Sequence, residues 1–444
     1  MKKLTETSEK RILTMLEDAG YEAYFVGGCV RDSLRGGDFG DVDITTNARP
    51  EDIKRVFSGW STIDTGIKHG TVMVVMGTNV EVTTYRSDGI YSDNRHPDKV
   101  EFITSLKEDL GRRDFTMNAI AMDSWGNLTD PFGGEEDIKA GVIRAVGNSQ
   151  KRFEEDALRI MRALRFAAAL GFAIEPETEE ELFRSKELLS KVSAERIYAE
   201  FKKLIIGKFA GQVIRKYADV LGQLMPELVA MKGFSQCNPY HKYDVLEHCL
   251  RTMEAVRTDK SNKAYMRMAA LFHDAGKPST FFKDEEGVGH FYGHPAKSKE
   301  LACGLLKRMK ADGFTVERVG VLVKNHDLLF ERNGKLLKRR LNKFGPEILL
   351  EILDIKEADN FATGNMSSDL GAKFKDVRCV IEKILEEQQC FCIKHLAVSG
   401  KDLIGLGVEE GPEIGAILDK LLEGVLEGRI PNKKDPLIEF IKRS

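Results

Sequence analysis

Between Phe25 and Thr45 the chain reads F-V-G-G-C-V-R-D-S-L-R-G-G-D-F-G-D-V-D-I-T, and no other stretch narrows the fold so far. It predicts a strand over 23–27, a glycine turn, a helix near 30–34 and a second strand over 42–45. Side chains two apart along a strand share a face, so Asp41 and Asp43 are expected to point into one site. Two carboxylates on one face repel unless a cation lies between them, and hard oxygen donors suit Mg²⁺ bridging substrate phosphates. Gly27 and Gly28 let the backbone approach a triphosphate, helped by the amides that open the next helix. The ordered combination points to phosphoryl or nucleotidyl transfer. Taken singly, a glycine pair is also an ordinary turn and Asp-x-Asp an ordinary strand end. No G-K-[ST] follows, so this is not a P-loop, and the three-glycine dinucleotide fingerprint is missing.

The alternation continues beyond this stretch. Residues 7–19 have helical apolar spacing (Ile12, Leu13, Leu16, Ala19) ended by Gly20, and a helix near 50–57 precedes strands over 71–76 and 80–85. Residues 86–105 are broken by Gly89, Asn94 and Pro97 and read as a loop between strands. There Arg95 and His96 either meet phosphates or form part of a solvated hairpin. From Ser149 to Leu170 the texture changes to one strong helix, and helices continue to the end. At 444 residues the chain is too long for one ordinary domain. Its net charge of -3 means that a nucleic-acid partner must be held by local basic surface. Lys338, Arg339, Arg340 and Lys343 offer one such patch, or simply a solvated helix face. No apolar run is long enough to span a membrane, the N-terminus lacks a signal-peptide core, and seven unpatterned cysteines fit reduced thiols. A cytoplasmic protein, monomer or homodimer, is expected.

Two further stretches are chemically dense. In Arg112-Arg113-Asp114-Phe115-Thr116-Met117-Asn118 the arginines offer planar forks for phosphate or ribose, and Asp114 and Asn118 are spaced to share a helical face. In R-F-E-E-D-A-L-R-I-M-R-A-L-R-F, Asp156, Arg159 and Arg162 recur every third residue. Such a face can hydrogen-bond a nucleobase edge, or can be a ladder of ion pairs with Arg165 at its end.

In order, Gly27-Gly28-x-x-Arg31-Asp32, Asp41-x-Asp43, the Arg112 to Asn118 block, Glu155-Asp156-x-x-Arg159 and Ala194-Glu195-Arg196 resemble the class II tRNA nucleotidyltransferase and bacterial poly(A) polymerase family over residues 1 to about 230. The resemblance implies an α+β protein with a polymerase-beta-like nucleotidyltransferase head on an elongated all-helical neck and body. By motif position, Asp41 and Asp43 carry the catalytic Mg²⁺ ions, with Glu81 assisting. Gly28, Arg31, Arg112, Asp114 and Asn118 hold ribose and phosphates, and Asp156, Arg159 and Arg162 read the base of CTP or ATP. The implied reaction is templateless addition and repair of the tRNA 3′-terminal CCA, by two-metal transfer with release of pyrophosphate. Poly(A), A-only or CC-only addition are the alternatives. The extended, strongly basic C-terminal tail that such poly(A) polymerases tend to carry is missing, which favours CCA addition.

Six of the nine histidines lie between 241 and 326: His241, His248, His273, His290, His294 and His326. L-F-H-D-A-G-K-P places His273 and Asp274 together in an apolar helix expected to end near Gly276. Imidazoles and carboxylates from several helices can converge on one cation, and surface hydrogen bonding is the plainer role for any single histidine. The order His248, His273-Asp274, Asp359 resembles the HD phosphohydrolase superfamily over about 238–365, and His294 and His326 resemble the extra histidines of its two-metal members. An inserted or appended helical HD domain holding Mn²⁺, Ni²⁺, Co²⁺ or Mg²⁺ is implied, with 2′,3′-cyclic phosphodiesterase or phosphatase activity. A protein that is chiefly an HD phosphohydrolase is the rival reading. The expected division is 1–145 head, 146–236 neck, 237–365 HD domain and 366–444 tRNA-binding tail.

Overall fold

The computed structural model describes residues 4–67, 70–88, 100–237, 242–259, 263–363 and 368–443. Arg95, His96 and His241 lie outside the described residues. The chain forms two compact units, Met1–Pro226 and Glu227–Ser444.

In the first unit the strands are β1 (Ala23–Val26), β2 (Asp43–Thr46), β3 (Ser61–Gly66), β4 (Thr71–Val75), β5 (Asn79–Thr84), β6 (Arg86–Asp88), β7 (Val100–Phe102), β8 (Ala121–Met122) and β9 (Leu128–Thr129). Seven make a mixed sheet in the order β3-β4-β5-β2-β1-β8-β9, with β2 and β5 its parallel pair. Alternation builds one face: Ile44, Val72, Val74, Val80 and Val82 are buried, and helices Lys10–Asp18 and Pro50–Val56 pack nearby. On the other face the register sets Asp43 opposite both Val26 and Glu81. Val26 packs there with Leu110, Ala119, Ala121 and Val146, so one end of this face is core and the other polar.

One strand was not foreseen, and two expectations need correction. β3 is an edge strand whose S-T-I-D-T-G sequence carries no apolar alternation. The described part of 86–105 contains an antiparallel pair, β6 with β7. The single helix expected over 149–170 is two, Ser149–Glu155 and Leu158–Leu170, because Asp156 takes an extended backbone (φ -145°, ψ 99°). Its carbonyl accepts from Arg159 N at 2.9 Å and its side chain from Leu158 N at 3.1 Å, so the residue ends one helix and starts the next.

Among the described residues the second unit's regular structure is helical but for one short hairpin, Phe282–Lys283 with Gly289–His290. Helices Val245–Ala255, Lys263–Phe272, Gly313–Lys324 and Pro346–Ala362 pack on one another, while Val398, Leu403, Leu418, Leu421, Ile430 and Leu437 form a separate core toward the C-terminus. Helix Lys263–Phe272 stops before His273, so His273 and Asp274 stand in the turn that follows it, not within the helix as expected. In the basic stretch, Arg339 is paired with Glu427 at 2.6 Å. Among the described residues no helix is long and apolar enough to cross a membrane.

Candidate active site

Gly27, at φ +76°, turns the chain out of β1 and into helix Gly28–Leu34. A Cβ built there would meet Arg113 Nη1 at 3.5 Å and Asp43 Oδ2 at 3.7 Å, so both the backbone conformation and the close approach favour glycine. This turn forms one wall of a cleft of about 410 Å³. Asp43 lines it, with Arg112, Arg113, Asp114 and Asn118 from one stretch and Asp156, Arg159 and Arg162 from another. Gly28 and Arg31 complete the expected set. Arg165 and Arg196 line it as well, making seven arginines against three aspartates. That excess of cationic forks suits a polyanion.

Asp41 and Glu81 do not line this cleft. β2 begins only at Asp43, and Asp41 is exposed ahead of it. Both are nevertheless felt electrostatically. Burial pushes the Asp43 carboxyl up to about 6; Arg113 opposes the rise, and Glu81 and Asp41 add to it. A half-buried carboxylate repelled by two others, with one arginine in partial compensation, fits a hard divalent cation.

The cationic walls are held by buried acids. Asp109, with a fully buried side chain, accepts from Arg112 Nη2 at 2.8 Å and from Arg113 Nη2 at 3.5 Å, and also from the Thr45 hydroxyl at 3.1 Å. Burial resists its ionisation, but the two guanidiniums prevail and hold it below the usual carboxylate range. Nothing in the sequence reading picked out Asp109. The signal was there, because it stands three and four residues before the arginine pair. Arg113 Nε is buried without a hydrogen-bond partner among the described residues, a donor left for a ligand to satisfy.

Asp114 and Asn118 do meet, but across a turn leading into a 3₁₀ segment, Thr116–Asn118, not on an α-helical face. Asn118 Nδ2 donates to Asp114 Oδ1 at 3.0 Å, and Arg31 Nη1 donates to Asn118 Oδ1 at 2.8 Å. Arg162 Nε reaches Asp114 Oδ2 at 2.6 Å.

At the far wall the sequence left base reading and ion pairing as rival roles for Asp156 and Arg159. The structure contains both features. Arg159 donates to Glu155 Oε2 at 2.8 Å and to the carbonyls of Arg152 and Arg112 at 3.0 and 2.9 Å. Arg196 grips both oxygens of Asp156, at 3.2 and 2.8 Å. The ion pairs therefore orient two side chains that still line the cleft. Below them Phe166 carries the guanidinium of Arg165 over its ring at 3.9 Å.

The second unit holds a separate cluster. The donor atoms of His248, His273 and Asp359 lie within 4.8 Å of one another, as do those of Asp274, His294 and His326, and those of Cys249, His273 and Asp274. His273, His294 and His326 each place Nδ1 at 2.7–2.9 Å from a backbone carbonyl, of Ala270, Phe291 and Val323. Each Nδ1 is then the protonated nitrogen, and each Nε2 turns its lone pair inward. His273 Nε2 faces His248 Nε2 at 3.3 Å, and His294 Nε2 faces His326 Nε2 at 3.4 Å. Two lone pairs as close as those of His294 and His326 repel unless a cation or proton lies between them, and carbonyl-oriented imidazoles are the usual support of a metal ligand. Asp359 Oδ1 is 3.0 Å from His248 Nε2, and Asp274 Oδ1 is 3.2 Å from His294 Nε2. The residues fit one or two divalent cations.

Comparison with known proteins identifies the family. A model of the poly A polymerase head domain matches residues 23–144, and one of tRNA nucleotidyltransferase domain 2 matches 296–441. The CCA-adding enzyme of Geobacillus stearothermophilus is 52% identical over 435 residues, covering 97% of this chain and 95% of that one. The CCA-adding enzyme of Ligilactobacillus salivarius is 35% identical over 442 residues, covering 97% and 95%. Among solved structures, the Bacillus stearothermophilus CCA-adding enzyme in complex with CTP superposes with a TM-score of 0.71 at 33% identity, over 100% of this chain and 99% of that one. The Thermotoga maritima CCA-adding enzyme complexed with tRNA shares the fold, with a TM-score of 0.58 at 21% identity. A mixed-sheet head of polymerase-beta type, a cationic cleft around a half-buried aspartate and full-length likeness lead to one assignment: the chain belongs to the family of CCA-adding enzymes, the metal-dependent tRNA nucleotidyltransferases.

Proposed function

We propose that this protein completes and repairs the 3′-CCA end of tRNA from CTP and ATP, and that the nucleotide binds in the arginine-lined cleft with Mg²⁺ at Asp43 and Asp41. The observation that carries this reading is that Asp156 and Arg159, each fixed by its own ion pair, line the same cleft as Asp43. A carboxylate acceptor beside a guanidinium donor can hydrogen-bond the Watson–Crick edges of cytosine and adenine without a template. Arg112, Arg113 and Arg31 meet the triphosphate, and Asn118 and Asp114 the ribose. The chemistry supplied by Mg²⁺ bound at the carboxylates is activation of the tRNA 3′-hydroxyl and neutralisation of the leaving pyrophosphate. Glu81, opposite Asp43 in the sheet, adds negative charge to that end.

The test is incubation with tRNA transcripts lacking CCA, given CTP and ATP separately and together. Addition of CC from CTP, and of A only when both are present, is expected. A long adenosine ladder from ATP alone would instead make the enzyme a poly(A) polymerase. Asp43→Ala is expected to abolish addition while leaving tRNA retention in a gel-shift assay intact.

A second activity is supported by the facing imidazoles of the other unit. Here His248, His273, Asp274 and Asp359, with His294 and His326, would hold Mn²⁺, Co²⁺, Ni²⁺ or Mg²⁺. The metal's contribution would be a water acidified for attack on a terminal 2′,3′-cyclic phosphate. Attack on phosphorus breaks one P–O bond to the ribose, whose freed oxygen takes up a proton. Such hydrolysis would clean damaged tRNA ends before rebuilding. It is tested on an RNA ending in a 2′,3′-cyclic phosphate with each metal in turn. No turnover with any of them would leave a structural role for the cluster.

A further inference from the structure

Beside the histidine cluster, the only hairpin described in the second unit carries an aromatic stack that metal binding does not use. Phe282 and His290 pair across it with ring centroids 5.3 Å apart and planes 26° apart. Tyr292 lies over His290 at 5.5 Å and 17°, and beside Phe282 at 5.6 Å and 41°. Tyr292 is 75% exposed and Phe282 45%, an unusual cost for large rings unless something covers them. The stack is held in place. Asp284 Oδ2 lies 2.6 Å from His290 Nε2, while Asp284 Oδ1 accepts from Glu286 N and Val288 N in the turn. Gly289 backs so closely on the carbonyl of Gln236 that no Cβ would fit, and its amide donates to Cys237 O at 2.8 Å.

This hairpin connects directly to the cluster. Lys277 Nζ donates to Gln236 Oε1 at 2.8 Å and lies 2.7 Å from Asp274 Oδ2. A cleft of about 320 Å³ runs between the two, lined by Lys277, His290, Tyr292, Gly293, His294 and Asp327. One end is therefore a flat aromatic surface and the other a cation beside a candidate metal ligand. The second end offers an ammonium group to a terminal phosphate, and the first an aromatic face to a base.

We infer that Tyr292, stacked on His290 and Phe282, is a nucleobase platform, so that the cluster takes the 3′-terminal nucleotide of a single-stranded RNA end and not a phosphate ester in general. The inference rests on the phosphohydrolase reading for its phosphate end only. Stacking on aromatic rings tolerates any base, so the platform confers selection for a nucleotide without selection for sequence.

The experiment uses the full chain and a short RNA whose 3′-terminal nucleoside is 2-aminopurine riboside with a 2′,3′-cyclic phosphate. In EDTA, binding to wild type quenches the fluorophore by stacking. Tyr292→Ala is expected to weaken this binding about tenfold, and Tyr292→Phe to keep it. With Mn²⁺ present, Tyr292→Ala is expected to raise KM for adenosine 2′,3′-cyclic phosphate about tenfold at unchanged kcat, and to leave base-free 1-O-methylribose 2′,3′-cyclic phosphate unaffected. Quenching and KM unchanged in a folded Tyr292→Ala overturn the platform while the hydrolase stands. Tyr292-dependent quenching with no hydrolysis under any metal overturns the hydrolase and leaves the platform in place.

Discussion

Asp114 shows how one buried side chain can tie stability to the nucleotide cleft. Its two oxygens take hydrogen bonds from Phe115 N at 2.8 Å, Asn118 Nδ2 and Arg162. Burial resists its charge, but Arg162 and Asn118 outweigh burial and bring its pKa down to about 2, from 3.8 when exposed. A depressed carboxylate pKa means that the unfolded chain binds more protons in this range. The stabilisation is complete above about pH 4 and is lost as pH falls toward 2. Asp114→Asn is expected to cost on the order of 2 kcal/mol at neutral pH and to flatten the acid limb of thermal unfolding between about pH 4 and 2. An acid limb identical to wild type would show that Asp114 is not ionised by its partners. The residue was legible in the sequence because it sits in a dense motif. Its partner Arg162 was legible only as a face, since nothing in the chain says which acid, 48 residues away, it will reach.

At the scale of elements, what could be read depended on whether a boundary is made locally. Helix Lys10–Asp18 ends at Gly20 (φ +85°), β4 is an apolar run rich in valine and β5 alternates apolar and polar residues, so their own sequences give them away. The break at Asp156 has neither glycine nor proline. Its local bonds are those of an N-cap, and the guanidinium of Arg196 that also holds the Asp156 side chain comes from 40 residues on. The edge strand β3 escaped for a related reason, because pairing with β4 on one side alone asks for no apolar pattern. The 3₁₀ segment Thr116–Asn118 is likewise set from outside. Helix Gly134–Ala140 abuts it, with Thr116 Oγ1 donating to Asp137 Oδ2 at 2.6 Å and Gly134 so close that a Cβ would overlap the Thr116 carbonyl and lie 2.9 Å from Ile120. Gly134→Ala must push the two apart. The overpacking is expected to cost about 1–3 kcal/mol, read as a lower unfolding temperature. It should also raise KM for CTP and ATP, because Asn118, which accepts from Arg31, moves with the segment. An unfolding temperature and KM equal to wild type would mean that the helix yields at no cost.

At the scale of the whole molecule, the two candidate sites draw on separate structure. Every residue assigned to the nucleotide cleft belongs to Met1–Pro226, and every residue of the histidine cluster to Glu227–Ser444. Each unit also has its own apolar core, so a lesion in one need not loosen the other. Independence is best tested with a variant that removes a ligand without stranding a buried charge. Asp274→Ala is a poor choice, since it would leave Lys277, 5% exposed, without the carboxylate 2.7 Å away, and a broken buried pair costs about 3–5 kcal/mol. His294→Ala is cleaner: its side chain is 17% exposed, and its loss leaves Asp274 paired with Lys277. His294→Ala is expected to bind less Mn²⁺ in equilibrium dialysis and to lose hydrolysis of a 2′,3′-cyclic phosphate, while CCA addition stays at the wild-type rate. Asp43→Ala is expected to do the reverse, losing addition while keeping Mn²⁺ binding in the second unit. If a folded His294→Ala lost CCA addition as well, the histidine cluster would have to act on the nucleotide cleft, and the separation of ligand sets would not amount to separation of function.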